Sequence, residues 1–347
     1  MDFTPLQILW YFLIFLLIAG YFILDGFDLG VGVLSPFVAK NDEEKRICRA
    51  AIGPVWDGNE VWLLTAGGAL FAAFAPAYAT TFSGFYLAIM LVLFGLIVRV
   101  VGLEYAEHDK AWMKVWNVLF FAGSLFPALL TGVAVGNIYA GIPMDAAGNY
   151  IGIPLLGLVT PFTLLCGLLG MSMMLVSGAS WLSVKAPLDS ALYQRATKLR
   201  LPLQVVAGVL FLLVSAYAHF FINPSMAPEL GFVRWAFVAL FVILFVAATL
   251  LGNKPGKELL GFILHSASIF CLVFLLATSM FPNLVVASPD SIGPTLSIAN
   301  SIAHETTLFW MTLITAVGVP IVLGYHVFVY RLFRGRIALD ELKESGY

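Results

Sequence analysis

Charge is scarce in this chain. Only 11% of its 347 residues are Asp, Glu, Lys or Arg, where soluble domains run near a quarter. There is no basic tract, and a net charge of −2 leaves no electrostatic footprint for nucleic acid or an acidic substrate. Cysteine is equally sparse. Cys48, Cys166 and Cys271 stand without a CxxC or CxxCH spacing, which excludes a sequence-evident zinc site, c-type haem attachment or disulfide framework. They read as small core residues. The opening "MDFTPLQ" lacks the basic stretch of a signal peptide, so a cleaved leader is not expected.

What fills the chain instead is hydrocarbon-compatible. It is 61% hydrophobic, with a mean hydropathy of +0.96. Apolar stretches of about 20 residues, enough to cross a bilayer, recur near 6–37, 53–75, 78–101, 115–140, 154–180, 201–222, 232–251, 258–281 and 305–331. The expectation is an all-α integral membrane protein with nine transmembrane helices, the first long or tilted. Two four-helix bundles plus one peripheral helix is the expected arrangement. The divisions are 1–145 for the first bundle, 146–283 for the second, and 284–347 for an outer loop, the ninth helix and a tail. With these spans, 17 of the 18 basic residues fall on one side, leaving only Arg234. By the positive-inside rule that side is cytoplasmic. The N-terminus is then periplasmic and the C-terminus cytoplasmic. The weakly charged outer connections at 141–153 and 283–303 read as loops, with partial re-entry left open.

The rare acids cluster. Asp25 and Asp28 in "LDGFDLGVG" lie in the cytoplasmic half of the first span, three apart and so on one helix face. Asp57 and Glu60 in "GPVWDGNEVWLLTAGG" open the second span, again three apart, and Arg99 closes the third. Four acids and one arginine thus share a depth. A bland reading competes: acids in a first turn complement the helix dipole, and Arg99 could reach up to the headgroups. That reading is weaker for Asp25 and Asp28, which sit toward the C-terminal part of their helix. Carboxylates inside a bundle mark proton or ion pathways. Gly26, Gly30 and Gly32 form a small face for close packing, and Gly67 and Gly68 would admit another helix. Trp56 and Trp62 read as interface anchors or packing, with Trp56 beside Asp57 able to shape a channel.

Five histidines test whether the chain itself holds haem. Bis-ligation needs two axial groups facing one another from neighbouring helices. Only His265 and His326 share a depth, and isolated membrane histidines are usually packing residues. No metal site is expected in this chain.

The stretches "GYFILDGFDLGVG", "GPVWDGNEVWLLTAGGALFAAFAPAYATTFSGFYLA" and "SLFPALLTGVAVGN" resemble subunit II of the cytochrome bd-type quinol oxidases. The likeness covers the whole chain in length, span count and segment order, and is most specific in the first hundred residues. The resemblance implies a bacterial inner-membrane complex that oxidises ubiquinol or menaquinol and reduces O2 to water. It also implies that two b-type haems and one d-type haem belong to a homologous subunit I. Subunit II would then be a haem-free partner in a pseudosymmetric heterodimer, able to hold a structural quinone, with a small single-span accessory subunit and lipid around it. The family's proton-pathway carboxylates map onto Asp28 and Asp57, and Asp25, Trp56 and Arg99 also occupy family positions. Asn59 adjoins the channel. Some relatives have Gln at the position of Glu60, which makes Glu60 an auxiliary. The resulting expectation is a cytoplasmic proton route with Asp57 as inner relay, fed or tuned by Asp28 and Asp25, and Arg99 balancing charge. The alternative is a proton- or cation-coupled secondary transporter using the same acids.

Overall fold

The computed structural model describes residues 3–106, 108–222 and 230–338. Lys343, one of the basic residues assigned to the cytoplasmic side, lies outside the described residues. The chain opens with α1 (Pro5–Val38), 34 residues or about 51 Å, longer than the roughly 30 Å hydrocarbon layer. A capping box starts it: the Thr4 side chain accepts from the Gln7 amide and the Gln7 side chain accepts from the Thr4 amide. Then come α2 (Asp42–Ile52), α3 (Trp56–Ala73), α4 (Ala75–Gly84), α5 (Tyr86–Tyr105), α6 (Met113–Ala140), α7 (Pro161–Lys185), α8 (Ala191–Tyr217) and α9 (Gly231–Gly252). After α10 (Glu258–Met280) there is a short hairpin of β1 (Asn283–Val285) and β2 (Leu296–Ser297), then α11 (Ile298–Ser301) and α12 (Glu305–Leu332).

Eight of these helices are long and apolar enough to cross a membrane, so the chain is a multi-pass membrane protein. The expected second span is absent from those eight. It is α3, 18 residues with Asp57, Asn59 and Glu60 in its first turns, and these polar residues dilute its apolar run. The expected third span is broken into α4 and α5 at Phe85, where Gly84 sits against the Tyr150 ring. The seventh helix begins at Pro161, after a Thr160 capping box, rather than at 154. The eighth begins ten residues before the expected 201, capped by Ser190, and carries Arg195 and Arg200 inside the helix. The charged segment after α1 is not a loop either. Asn41 caps α2, acids fill its first turn, and Ile47, Cys48, Ala51 and Ile52 turn inward.

The basic connections gather at one end. Arg195 of α8 donates to the Val38 carbonyl and pairs with Glu44 of α2. Arg49 donates to Asn117 of α6. Arg336 donates to the Ser183 and Ala186 carbonyls at 2.8 and 2.6 Å, strapping the end of α12 across α7. At the opposite end the two outer loops interlock, with Ile142 N–H donating to the Val286 carbonyl at 3.0 Å and Val286 N–H to Ile138 at 3.1 Å.

The centre is α1, which packs on α3, α6, α7 and α10. Its glycines permit the approach. A Cβ on Gly30 would strike the Met174 backbone, and one on Gly178 would strike Gly30 in return. A Cβ on Gly32 would strike the Ser124 side chain of α6. Gly68, expected to admit a helix, has open space beside it, and Gly67 meets only the edge of Phe82. In contrast, α12 buries only Leu308 and Val329. Its attachment is polar: Trp10 donates to the Leu308 carbonyl and Thr312 hydroxyl at 3.2 and 2.9 Å, and Trp62 donates to His326 at 3.3 Å.

Since the α1–α7 contact is backbone against backbone, Gly178→Leu should destabilise the protein by about 1–3 kcal/mol or more. Gly68→Leu should be nearly neutral. Thermal melting of the two purified variants checks this, and similar midpoints would refute the packing argument.

Candidate functional site

The acids meet where α1, α3 and α5 converge. Asp25 and Asp28 project from α1, both completely buried. Arg99 reaches across from the last turns of α5 and is itself buried. Gly123 of α6 lets this part of α5 press in closely, since a Cβ there would strike the Arg99 backbone. One guanidinium serves two carboxylates. Arg99 Nη1 donates to Asp25 Oδ1 at 2.7 Å, and Nη2 donates to Glu60 Oε2 at 3.1 Å. The first of these bonds is fully enclosed, while the Glu60 side chain retains 21% exposure.

Asp28 has no cation of its own in contact. Its Oδ2 accepts from Asn59 Nδ2 at 2.8 Å, and its Oδ1 is buried without a hydrogen-bond partner among the described residues. Asn59, also completely buried, accepts at Oδ1 from the Tyr330 hydroxyl at 2.9 Å. Beside this chain, Trp62 lies over Gly20 of α1 and donates to His326 Nε2, whose Nδ1 faces the Val322 carbonyl at 2.9 Å. Trp56 donates its indole N–H to Glu104 at 3.2 Å.

Asp57 stands apart. It is exposed on the surface of the chain, whereas Glu60 turns inward to Arg99. Three residues of α-helix rotate a side chain by 300°, about 60° short of a full turn. The shared face expected from the 57/60 spacing is therefore wide, and only its Glu60 edge reaches the cluster. Sequence reasoning ranked Glu60 as the assistant, yet it makes the ion pair. It missed Tyr330 altogether, which is remote in sequence and carries no local signal, and it missed Glu104. Asn59 was marked only as a neighbour of the channel.

The two histidines at one depth do not form an axial pair. His265 of α10 is buried with Nε2 2.9 Å from the Met173 carbonyl, and His326 is engaged at both ring nitrogens. Each of the two thus has a hydrogen-bond partner within the chain. Chemically the cluster offers three carboxyl groups that can bind and release protons, one fixed cation, and an amide and a hydroxyl that hold one of the carboxyls by hydrogen bonds.

A family model described as cytochrome bd terminal oxidase subunit II matches residues 6–333. The chain belongs to that family. Its bd-oxidase relatives extend along the whole molecule. It is 33% identical to the cytochrome bd-I ubiquinol oxidase subunit 2 of Escherichia coli K12, covering 100% of this chain and 99% of the relative. It is 36% identical to a probable cytochrome oxidase subunit 2 of Haemophilus influenzae over the full length of both. Against the cytochrome bd ubiquinol oxidase subunit 2 of Bacillus subtilis it is 34% identical, covering 97% and 98%. The fold matches a chain in the structure of bd oxidase from Geobacillus thermodenitrificans with a TM-score of 0.75 at 17% identity, covering 95% of this chain and 99% of that one. The transporter alternative finds no support among these relatives.

Within the subunit II fold, Arg99 is the piece whose loss should be felt most. Arg99→Leu strands buried Asp25, and removing one partner of a buried pair costs about 3–5 kcal/mol. Glu60→Gln keeps a hydrogen-bonding group at a half-open position and should cost under about 1 kcal/mol. Denaturation of the two purified variants measures the contrast, and equal losses would contradict the pairing.

Proposed function

We propose that this chain is the haem-free subunit II of a bacterial inner-membrane quinol:O2 oxidoreductase and that it conducts protons taken from the cytoplasm. The observation that carries the reading is the enclosed set Asp25–Arg99–Glu60 with Asp28 beside it, on a chain whose family is that of bd oxidase subunit II. In this reading the basic end is cytoplasmic, the N-terminus is periplasmic, and α3 completes nine crossings. The first bundle is residues 1–145 and the second 146–283, with α12 peripheral and α1 packed between the two.

The chemistry follows from the charges. Arg99 neutralises part of the negative charge of Asp25 and Glu60 and holds α1 and α3 to α5. Asp28, met by a neutral amide, is the enclosed carboxyl free to take and release a proton. Asp57 is exposed on the isolated chain, and an ionised carboxylate facing hydrocarbon is costly. Its place is therefore a wet mouth or a contact with subunit I, where it passes protons onward; Trp56 and Glu104 border the same end of α3. The partner, a homologous subunit I, carries two b-type haems and one d-type haem, which supply the quinol oxidation and oxygen chemistry. The complex makes water from O2 with cytoplasmic protons, generating membrane potential without pumping, and this chain alone is not catalytic. A structural quinone, a single-span accessory subunit and annular lipid complete the proposed assembly.

The test is turnover of the purified complex with its native partners. Asp28→Asn and Asp57→Asn should each slow O2 uptake by about 10²-fold, the lower range for a lost proton-transfer group, at unchanged haem content. Asp145→Asn is the control. That half-exposed loop carboxyl lies far from the cluster in the fold and is held below the ordinary carboxylate range by hydrogen bonds from the Asn149 side chain and nearby backbone amides, so its loss should leave turnover intact. Equal rates in all three variants would overturn the proton route.

A further inference from the structure

Of the three acids in this cluster, Asp25 and Glu60 touch a guanidinium and Asp28 does not. Asp28 is reached instead by a two-step polar arm that starts on the far end of the chain: Tyr330 of α12 donates to Asn59 of α3, and Asn59 donates to Asp28 of α1. The polarity of this arm is dictated by chemistry. In its ionised form Asp28 can only accept, so in that state the Asn59 nitrogen faces it. The amide oxygen then faces α12, and Tyr330 can meet it only as a donor. Without the hydroxyl, the orientation of the Asn59 amide is held from the Asp28 side alone. The flipped form would place oxygen against oxygen at Asp28.

We propose that Tyr330 is a positioning residue for proton exchange at Asp28, locking the Asn59 amide with its nitrogen toward the carboxylate. The inference rests on the proton-conducting reading above and adds to it a residue that no motif marks. It also ties the arm to the seating of α12. That helix is attached at three places by polar contacts, from Trp10, Trp62 and Asn59, and buries only Leu308 and Val329. The groups around Asp28 are Asp25 on α1, Asn59 and Glu60 on α3, Arg99 on α5 and Tyr330 on α12. Met174 and Gly178 of α7 and Ser124 of α6 pack against the neighbouring glycines of α1.

The experiment is the pH profile of O2 uptake by the purified complex for wild type, Tyr330→Phe, Asn59→Leu, the double variant and Asp28→Asn. The phenylalanine ring preserves the stacking of Tyr330 on His326, whose ring centroids lie 6.4 Å apart. A hydrogen bond donated to a carboxylate favours its ionised form, and a shift of one pKa unit corresponds to about 1.4 kcal/mol. Losing the amide donor disfavours the ionised carboxyl. The Asp28-dependent midpoint should therefore move up by about one pH unit in Tyr330→Phe and in Asn59→Leu. The double variant should move no further than Asn59→Leu alone, because the two residues act in series. An unmoved midpoint in Tyr330→Phe, or additive shifts in the double variant, would overturn the positioning role. A structural role alone would lower yield or thermal stability at every pH and leave the midpoint in place. If Tyr330→Phe does not assemble, Asn59→Leu carries the same expectation and decides. The underlying route fails separately: Asp28→Asn would then turn over at the wild-type rate.

Discussion

A guanidinium enclosed among helices cannot stand without its acids, nor they without it. Arg99 and Asp25 are both fully buried and 2.7 Å apart, so each is the reason the other is tolerated in a region without water. The packing around the acids depends on this pair. It sets the register of α1 against α5, and the second bond, to Glu60, brings in α3. Gly123 allows α6 to close over the same part of α5, and Gly30 and Gly178 bring α7 against α1 one turn beyond the acids. Small residues and buried charge work together here. In lipid there is no hydrophobic force between helices, so close backbone contact and polar bonds must hold them.

One cation among three acids is an uneven match, and the unevenness gives the site its chemistry. Asp25 and Glu60 take the guanidinium, while Asp28 receives an amide. A carboxyl without a fixed counter-charge is the one that can change its protonation without breaking an ion pair. The structure thus separates two environments that the sequence shows only as a group of acids. Asp25 and Arg99 hold the helices, and Asp28 and its polar arm are left to respond. Asp57 stands in a third environment, exposed on the outer face of α3.

The opposite fates of Asp57 and Glu60 show where one-dimensional reasoning stops. Both open the same helix, and a spacing of three puts them within 60° of each other. Which of the two faces Arg99 depends on how α3 is rotated against α1, and that rotation is set by contacts such as Trp62 over Gly20. The break between α4 and α5 is similar. Nothing in the apolar run around Phe85 announces it, and the Tyr150 ring that lies against Gly84 comes from a loop more than sixty residues away.

The amino-acid order by itself determined that this is a helical membrane protein, because runs of about twenty apolar residues admit only that solution in lipid. It also determined the family, through long motifs around Asp28 and Asp57, and the depth shared by the acids and Arg99. Those properties are local, written in composition and in spacing along single helices. Only the tertiary structure decided which acids pair, that Asp57 faces outward, and that Tyr330 is joined to Asp28 through Asn59. These depend on the rotation and seating of helices far apart in the chain, and a periodicity of 3.6 residues fixes a face without saying what it meets.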